Sequence, residues 1–323
     1  MLFELKSIVS KLKESHHKDE ACVLASVVAL EGSSYRQPGV RMLITASGEM
    51  VGALSGGCVE KEVIRQAMGV FQSGQPTLMT YDGRYKLGCE GILYILIEPF
   101  QPGPGFFEAW DGHLAARQPL ALQSHFSRQV GPSADYGTRF TLGGESFRAR
   151  PDFTLQATTE VFDQTLPPST RLLIIGAEHD AHYMCKLAAF MGFDVEVATY
   201  TAHDIAPADF PEAQQIHRIE PDQVGTLKPD AHTAIILMTH HYAKDLAFTQ
   251  HLLGMEFAYF GIIGSMKRKD KLFSDLIEQG TALDLEKLAA IDSPAGVDIG
   301  AITPQEIALS VMTGIVAKVR RET

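Results

Sequence analysis

Cysteine is scarce in this chain and poorly spaced for a metal site. The four thiols among 323 residues, Cys22, Cys58, Cys89 and Cys185, form no CxxC pair and no zinc-like ladder. That spacing argues against both a structural zinc centre and a disulfide framework. Positive charge is also short, with 28 basic residues against 39 acidic ones and a formal charge of −11. Such a balance disfavours broad nucleic-acid or anionic-membrane binding, although local arginines still suffice for a small anion. A long apolar run is missing too. The stretch Ala21–Leu30 is too short to cross a bilayer, and Met1–Glu14 is charged throughout, unlike a signal peptide. These absences predict a cytoplasmic protein with free thiols, without a membrane or nucleic-acid partner.

What is present is patterned, and its length suggests about two domains. Leu2, Leu5, Ile8, Val9 and Leu12 recur at helical spacing, which predicts an opening helix over 2–14. Residues 21–30 read as a buried strand, and 41–45 with 50–54 as a hairpin across Ala46-Ser47-Gly48-Glu49. Val59, Val63, Ile64, Ala67, Val70 and Phe71 share a helix face, and strands follow over 77–81 and 92–97. The pattern then breaks at Gln101-Pro102-Gly103-Pro104-Gly105. Residues 101–170 read as a connecting region with one helix and short strand-like pieces, ending in the linker Leu166-Pro167-Pro168-Ser169-Thr170. From Arg171 strands alternate with helices, as in a doubly wound parallel sheet. The expected fold is α/β: an N-terminal α/β domain over 1–100 and a C-terminal Rossmann-like domain over 171–323.

Two loops in the first domain join glycine to cysteine. Gly32 to Gly39, continued by Arg41 and by Ser55-Gly56-Gly57-Cys58-Val59-Glu60, leads into a helix whose free N–H groups favour an anion or a thiolate. Gly83 to Gly91 encloses Cys89. A thiol in either loop is open to soft metal–sulfur chemistry or to carrying a persulfide. Cys22 and Cys185, inside apolar runs, read as core residues.

In the second domain the loop Gly176-Ala177-Glu178-His179-Asp180-Ala181 keeps only the first glycine of a dinucleotide fingerprint. Glu178 stands where backbone must approach a pyrophosphate, and Thr199-Tyr200-Thr201 stands where a ribose-binding acid belongs. NAD(P) binding is therefore disfavoured. Thr239-His240-His241 and Gly264-Ser265 also follow strands, at the sheet edge where ligands bind in such folds. There Ser265 is a helix cap, with Lys267 or Arg268 beside an anion.

Together these segments resemble the XdhC/CoxI family of molybdenum-hydroxylase maturation factors. The likeness rests on Gly32–Met42, Ser55–Glu60 and Leu87–Gly91, then Leu173–Ala177 with His179, Met238–His240, Gly264-Ser265, Lys267–Lys269 and Pro294–Ala308. It implies a dimeric, non-catalytic accessory protein. Such a protein binds molybdenum cofactor as cargo while a cysteine desulfurase supplies its sulfido ligand. It then delivers the cofactor to a xanthine-dehydrogenase-type molybdenum hydroxylase. The residues expected at the cofactor are Arg41, Ser55, Gly56, Gly57, Cys58, Cys89, Gly176, His179, His240, Gly264 and Ser265, with Cys58 or Cys89 facing molybdenum. Arg41 with the Ser55–Cys58 loop is the preferred site. Departures from the family pattern are Glu178, Ala181, Thr199-Tyr200 and Glu90 after Cys89. The alternatives are a nicotinamide-dependent oxidoreductase, or a scaffold that docks a desulfurase on its client.

Overall fold

The structure is a computed structural model. It describes residues 1–34, 37–55, 57–83, 91–153, 160–200, 205–279 and 285–321, without the side chains of Cys58, Leu285 and Arg321. The chain divides into two compact units, Met1–Pro168 and Ser169–Thr323.

The first unit opens with helix α1 (Leu2–His16), whose residues Leu2, Leu5, Ile8, Val9 and Leu12 are all buried. Strands β1 (Cys22–Glu31), β2 (Arg41–Thr45) and β3 (Met50–Gly52) lead to α2 (Cys58–Ser73). Then come β4 (Thr77–Asp82), β5 (Ile92–Pro99), α3 (Phe106–Ala115), β6 (Leu120–Phe126), β7 (Gly131–Pro132), β8 (Gly137–Leu142), β9 (Glu145–Arg148) and β10 (Glu160–Leu166). One antiparallel sheet has the order β3-β2-β1-β5-β4-β7 and a second the order β10-β6-β8-β9.

Alternation along β1 explains why the first sheet is covered on both faces. Val23, Ala25 and Val27 pack with Val59, Val63, Ala67 and Val70 of α2. Cys22 and Leu24 face the other way, onto α1, α3 and the second sheet. Aromatic contacts join these layers: Phe100 stacks on Phe140 at 5.6 Å, and Phe106 meets Phe140 edge-on at 5.5 Å. Residues 101–170, expected to connect two domains, thus hold α3 and the whole second sheet. Polar residues exposed on β9 and β10, at Glu145, Ser146, Asp163 and Thr165, weaken any strand pattern there.

The second unit contains β11 (Arg171–Ile175), α4 (His179–Phe190), β12 (Asp194–Thr199), β13 (Gln215–Arg218), β14 (Thr233–Leu237), α5 (Tyr242–Leu252), β15 (Tyr259–Ile262), α6 (Met266–Glu278), α7 (Leu285–Ala289) and α8 (Pro304–Arg321). All five strands are parallel, in the order β13-β12-β11-β14-β15. Leu172 and Ile174 face α4 and α8, whereas Leu173 and Ile175 face α5, α6 and α7. Helices on both faces make this the expected doubly wound sheet. Among the described residues, no helix is long and apolar enough to cross a membrane.

Helix α8 begins with a capping box. Glu306 N donates to Thr303 Oγ1 at 3.3 Å, and Thr303 N donates back to Glu306 Oε2 at 2.8 Å. Thr303→Ala is expected to cost about 1 kcal/mol in a urea melt. A variant melting like the parent would show that the helix end does not depend on this cap.

Candidate functional site

Strand direction gathers the glycine-rich loops of the first unit. Strands β1, β3 and β4 all run opposite to their antiparallel neighbours β2 and β5. Their carboxyl ends therefore share one edge of the sheet with the start of β5. The loops after Glu31, Gly52 and Asp82 leave from that edge, and α2 begins there. Gly91 closes the third loop: its carbonyl oxygen accepts from Gly83 N at 2.9 Å. A Cβ on Gly91 would lie 2.7 Å from the Ser33 carbonyl oxygen, so only glycine lets the first and third loops touch. Gly56 and Cys89 fall outside the described residues. Cys58 is the first residue of α2.

The amides before α2, expected to cradle an anion, already have one. Glu60 Oε1 accepts from Leu54 N at 3.0 Å and Ser55 N at 2.6 Å. Its Oε2 accepts from Gly57 N at 2.6 Å and from Ser55 Oγ at 3.2 Å. Burial works against this charge, but the backbone amides of Ser55, Gly57 and Glu60 itself, with the Ser55 hydroxyl, hold the carboxyl down at about 2. Gly57 has no side chain, so only the acidic half of a capping box is present. The glycine–cysteine motif contains Glu60 without announcing this role. Its signal is an acid three residues after the helix cap.

Arg41 does not face that loop. Met42 and Ile44 pack on the α2 side, so Arg41 and Leu43 alternate to the opposite face. The guanidinium is buried, donating from one Nη to the Gly39 carbonyl at 2.8 Å and to Gln164 Oε1 at 2.5 Å. Its Nε and second Nη have no hydrogen-bond partner among the described residues. Burial lowers its pKa to about 10, opposed by the charge of Glu98. Strand pleating thus turns Arg41, expected to act with the Ser55–Cys58 loop, away from the sheet face on which α2 packs.

The second-unit candidates do converge. Gly176, His240 and Gly264 follow β11, β14 and β15, at the carboxyl edge of the parallel sheet. Gly176 has φ +126°, and a Cβ there would lie 2.3 Å from the Met238 carbonyl oxygen. The fingerprint's surviving glycine therefore serves close packing of two loops. His179 is the exposed first residue of α4, with its ring 5.2 Å from that of Tyr183. His240 Nε2 lies 3.9 Å from Asp180 Oδ2, a partly exposed pair of small energetic weight. Glu178 at the cap and Asp180 in the first turn put negative charge where a helix would attract an anion.

Ser265 caps α6 by accepting from Arg268 N at 3.4 Å. Arg268, expected beside an anion, is instead bound to buried Asp245 at 2.5 Å, and Asp245 also accepts from Thr239 Oγ1 at 2.5 Å. Nothing in the sequence pattern singles out Asp245. It sits on the first turn of α5, and its partners come from the loop after β14 and from the first turn of α6.

Cys22 and Cys185 are buried, as their apolar settings predicted. Burial raises both thiols, Cys185 to about 12, which leaves them protonated and unreactive at neutral pH. No group of three or more His, Cys, Asp or Glu side chains suited to a metal ion occurs among the described residues.

Comparison with known proteins fits this two-unit arrangement. A model of the XdhC and CoxI family matches residues 15–82, and a model of the XdhC Rossmann domain matches residues 172–315. The chain is 29% identical over 326 residues to a Bacillus subtilis (strain 168) protein described as a probable xanthine dehydrogenase subunit, spanning 94% of each protein. It is 25% identical over 311 residues to the molybdenum cofactor insertion chaperone PaoD of Escherichia coli (strain K12), spanning 96% of this chain and 87% of that one. A crystal structure described as a xanthine dehydrogenase from Bacillus halodurans aligns with a TM-score of 0.80 and 26% identity, covering 98% of this chain and 96% of that one. One matched domain thus falls in each compact unit, that of the XdhC and CoxI family in the first and the XdhC Rossmann domain in the second, and the relatives align with the chain end to end.

Proposed function

We propose that this protein is a maturation accessory without turnover of its own, which holds molybdenum cofactor as cargo and hands it to a xanthine-dehydrogenase-type molybdenum hydroxylase. The observation that carries the reading is its end-to-end similarity to a molybdenum cofactor insertion chaperone and to a probable xanthine dehydrogenase subunit. Chemistry at the α2 edge supports it. The amides of Leu54, Ser55 and Gly57 are bound to Glu60, so the loop shape is fixed before any cargo arrives. Cys58 is the first residue of α2, and a thiolate is by its chemistry a soft donor suited to a molybdenum–sulfur head. Cys89 in the neighbouring loop is the second candidate. Arg41 acts from behind the sheet as a positioning residue through Gly39. Gly176, His179, His240, Gly264 and Ser265 form a separate candidate surface for the same cargo in the second unit. A cytoplasmic homodimer that receives sulfur from a cysteine desulfurase completes the proposal.

The test is direct. Protein purified from cells with an active cofactor pathway is expected to release a fluorescent pterin after oxidation. Cys58→Ser is expected to retain several-fold less while melting normally. No pterin from the wild type, beside a positive control, rejects the cargo role. Full retention by both Cys58→Ser and Cys89→Ser removes the assignment to these loops.

A further inference from the structure

Helix α8 is apolar on two faces. Its inner residues Ala308, Val311, Met312 and Ile315 are buried against Leu172 and Ile174 of β11. A helix on the surface ordinarily turns polar side chains outward. Here Leu309 is 51% exposed. Ile302, just ahead of the cap Thr303, is 86% exposed, the most of any large apolar side chain among the described residues. Val316, partly exposed, extends the same line. These three positions follow one another at heptad spacing and so repeat on one side of the helix.

Glu306, Thr313 and Arg320 fill the alternate steps of that line, and all three are exposed. The outward row is therefore Ile302, Glu306, Leu309, Thr313, Val316 and Arg320, spaced like the seam of a helix pair. An acid stands near its beginning and a base at its end. The acid is held in place, because Glu306 Oε2 accepts from Ile302 N at 2.9 Å and Thr303 N at 2.8 Å. Arg320 has no ion-pair partner among the described residues.

The row is its own complement. Its positions lie symmetrically about Val311, Ile302 answering to Arg320, Glu306 to Val316 and Leu309 to Thr313. A two-fold axis at that level brings two copies of the row together antiparallel, as a self-complementary interface requires. Leu309 of each copy then meets Thr313 of the other. Ile302 is covered by the aliphatic stem of the other copy's Arg320, whose guanidinium lies within a helical turn of Glu306. Parallel pairing would instead set Glu306 on Glu306 and Arg320 on Arg320, like charge against like.

We infer that the outward row of α8 pairs with the same row of a second copy of this chain, antiparallel about Val311. This rests on the homodimer proposed above and assigns its contact. The full chain is followed by sedimentation equilibrium over a range of concentrations. One helix pair is a small interface, so a dissociation constant in the micromolar range is expected. Leu309→Glu is expected to raise that constant at least about tenfold without loss of helix content by circular dichroism. Arg320→Glu, which sets acid against Glu306, is expected to raise it several-fold, an effect that salt reduces. Met68→Glu is the control, since Met68 of α2 is 52% exposed and lies outside the row. A wild type that stays monomeric at about 100 μM overturns the inference, leaves the row to a different partner, and defeats the homodimer as well. A dimer that survives both α8 variants overturns the inference alone, as does one weakened equally by Met68→Glu. If Leu309→Glu does not fold, Arg320→Glu decides the matter: a weaker dimer supports the pairing and an unchanged one overturns it.

Discussion

Glu60→Ala is expected to lower the unfolding free energy by about 2–3 kcal/mol at neutral pH, since hydrogen bonds to charged groups contribute about 1.5–3 kcal/mol each. Four donors lose their acceptor: the amides of Leu54, Ser55 and Gly57, and the Ser55 hydroxyl. The sum stays below four full bonds because Gly57 is exposed and water replaces part of the loss. Glu60→Gln keeps the shape but not the charge and should lie between the two. The folded carboxyl titrates at about 2, below the ordinary 4.5. Its contribution is thus present above pH 4.5 and disappears as pH falls through about 2. Urea melts at pH 7 and pH 3 check both statements, and an alanine variant as stable as the parent at pH 7 defeats them. The same variant should retain less cofactor at temperatures where it remains folded, because Cys58 follows directly on the loop that Glu60 holds.

Glu98 has the opposite pH dependence. Burial pushes its carboxyl up to about 7, against hydrogen bonds from Thr138 N at 2.9 Å and Thr138 Oγ1 at 2.5 Å and the charges of Arg150 and Arg41. The folded chain therefore keeps this proton between pH 4.5 and 7, where the unfolded chain has already released it. Its contribution to stability is full below pH 4.5 and falls as pH rises through 7. The loss is on the order of 3 kcal/mol, at about 1.4 kcal/mol per pH unit. Glu98→Gln should remove that slope, so the difference between the two pH profiles isolates it. Parallel profiles for the two proteins would refute this account. The geometry gives the reason for so costly a group: Glu98 on β5 bonds both donors of Thr138 on β8, and so pins the second sheet to the first.

The elements that bury themselves locally were legible in the sequence. Helix α1, strand β1 and the β11–α4 repeat all carry their hydrophobic period within a dozen residues. Strands β9, β10 and β13 did not show, because their burial comes from distant partners: Arg139 to Arg148, Glu160 to Phe126, and Gln215 to Glu196. The site divided in the same way. The glycine loops and the sheet-edge residues were found from composition and order. The direction of Arg41 was not, since an arginine between glycines reads as a ligand until strand alternation sends it to the other face. Nor was it visible that Glu60 and Asp245 would take the donors meant for a ligand. Those pairings join Ser55 to Gly57 through Glu60 and Thr239 to Arg268 through Asp245, and no periodic signal encodes them.

The contact between Gly176 and the Met238 carbonyl also has a mechanical meaning. Backbone lies directly on backbone there, with no side chain between to act as a cushion. Met238 N is held in turn by the Ile175 carbonyl at 2.8 Å. The turns leaving β11 and β14 are consequently geared together. Neither can swing outward to admit a guest without dragging the other, so this stretch of the rim opens as one piece or stays shut.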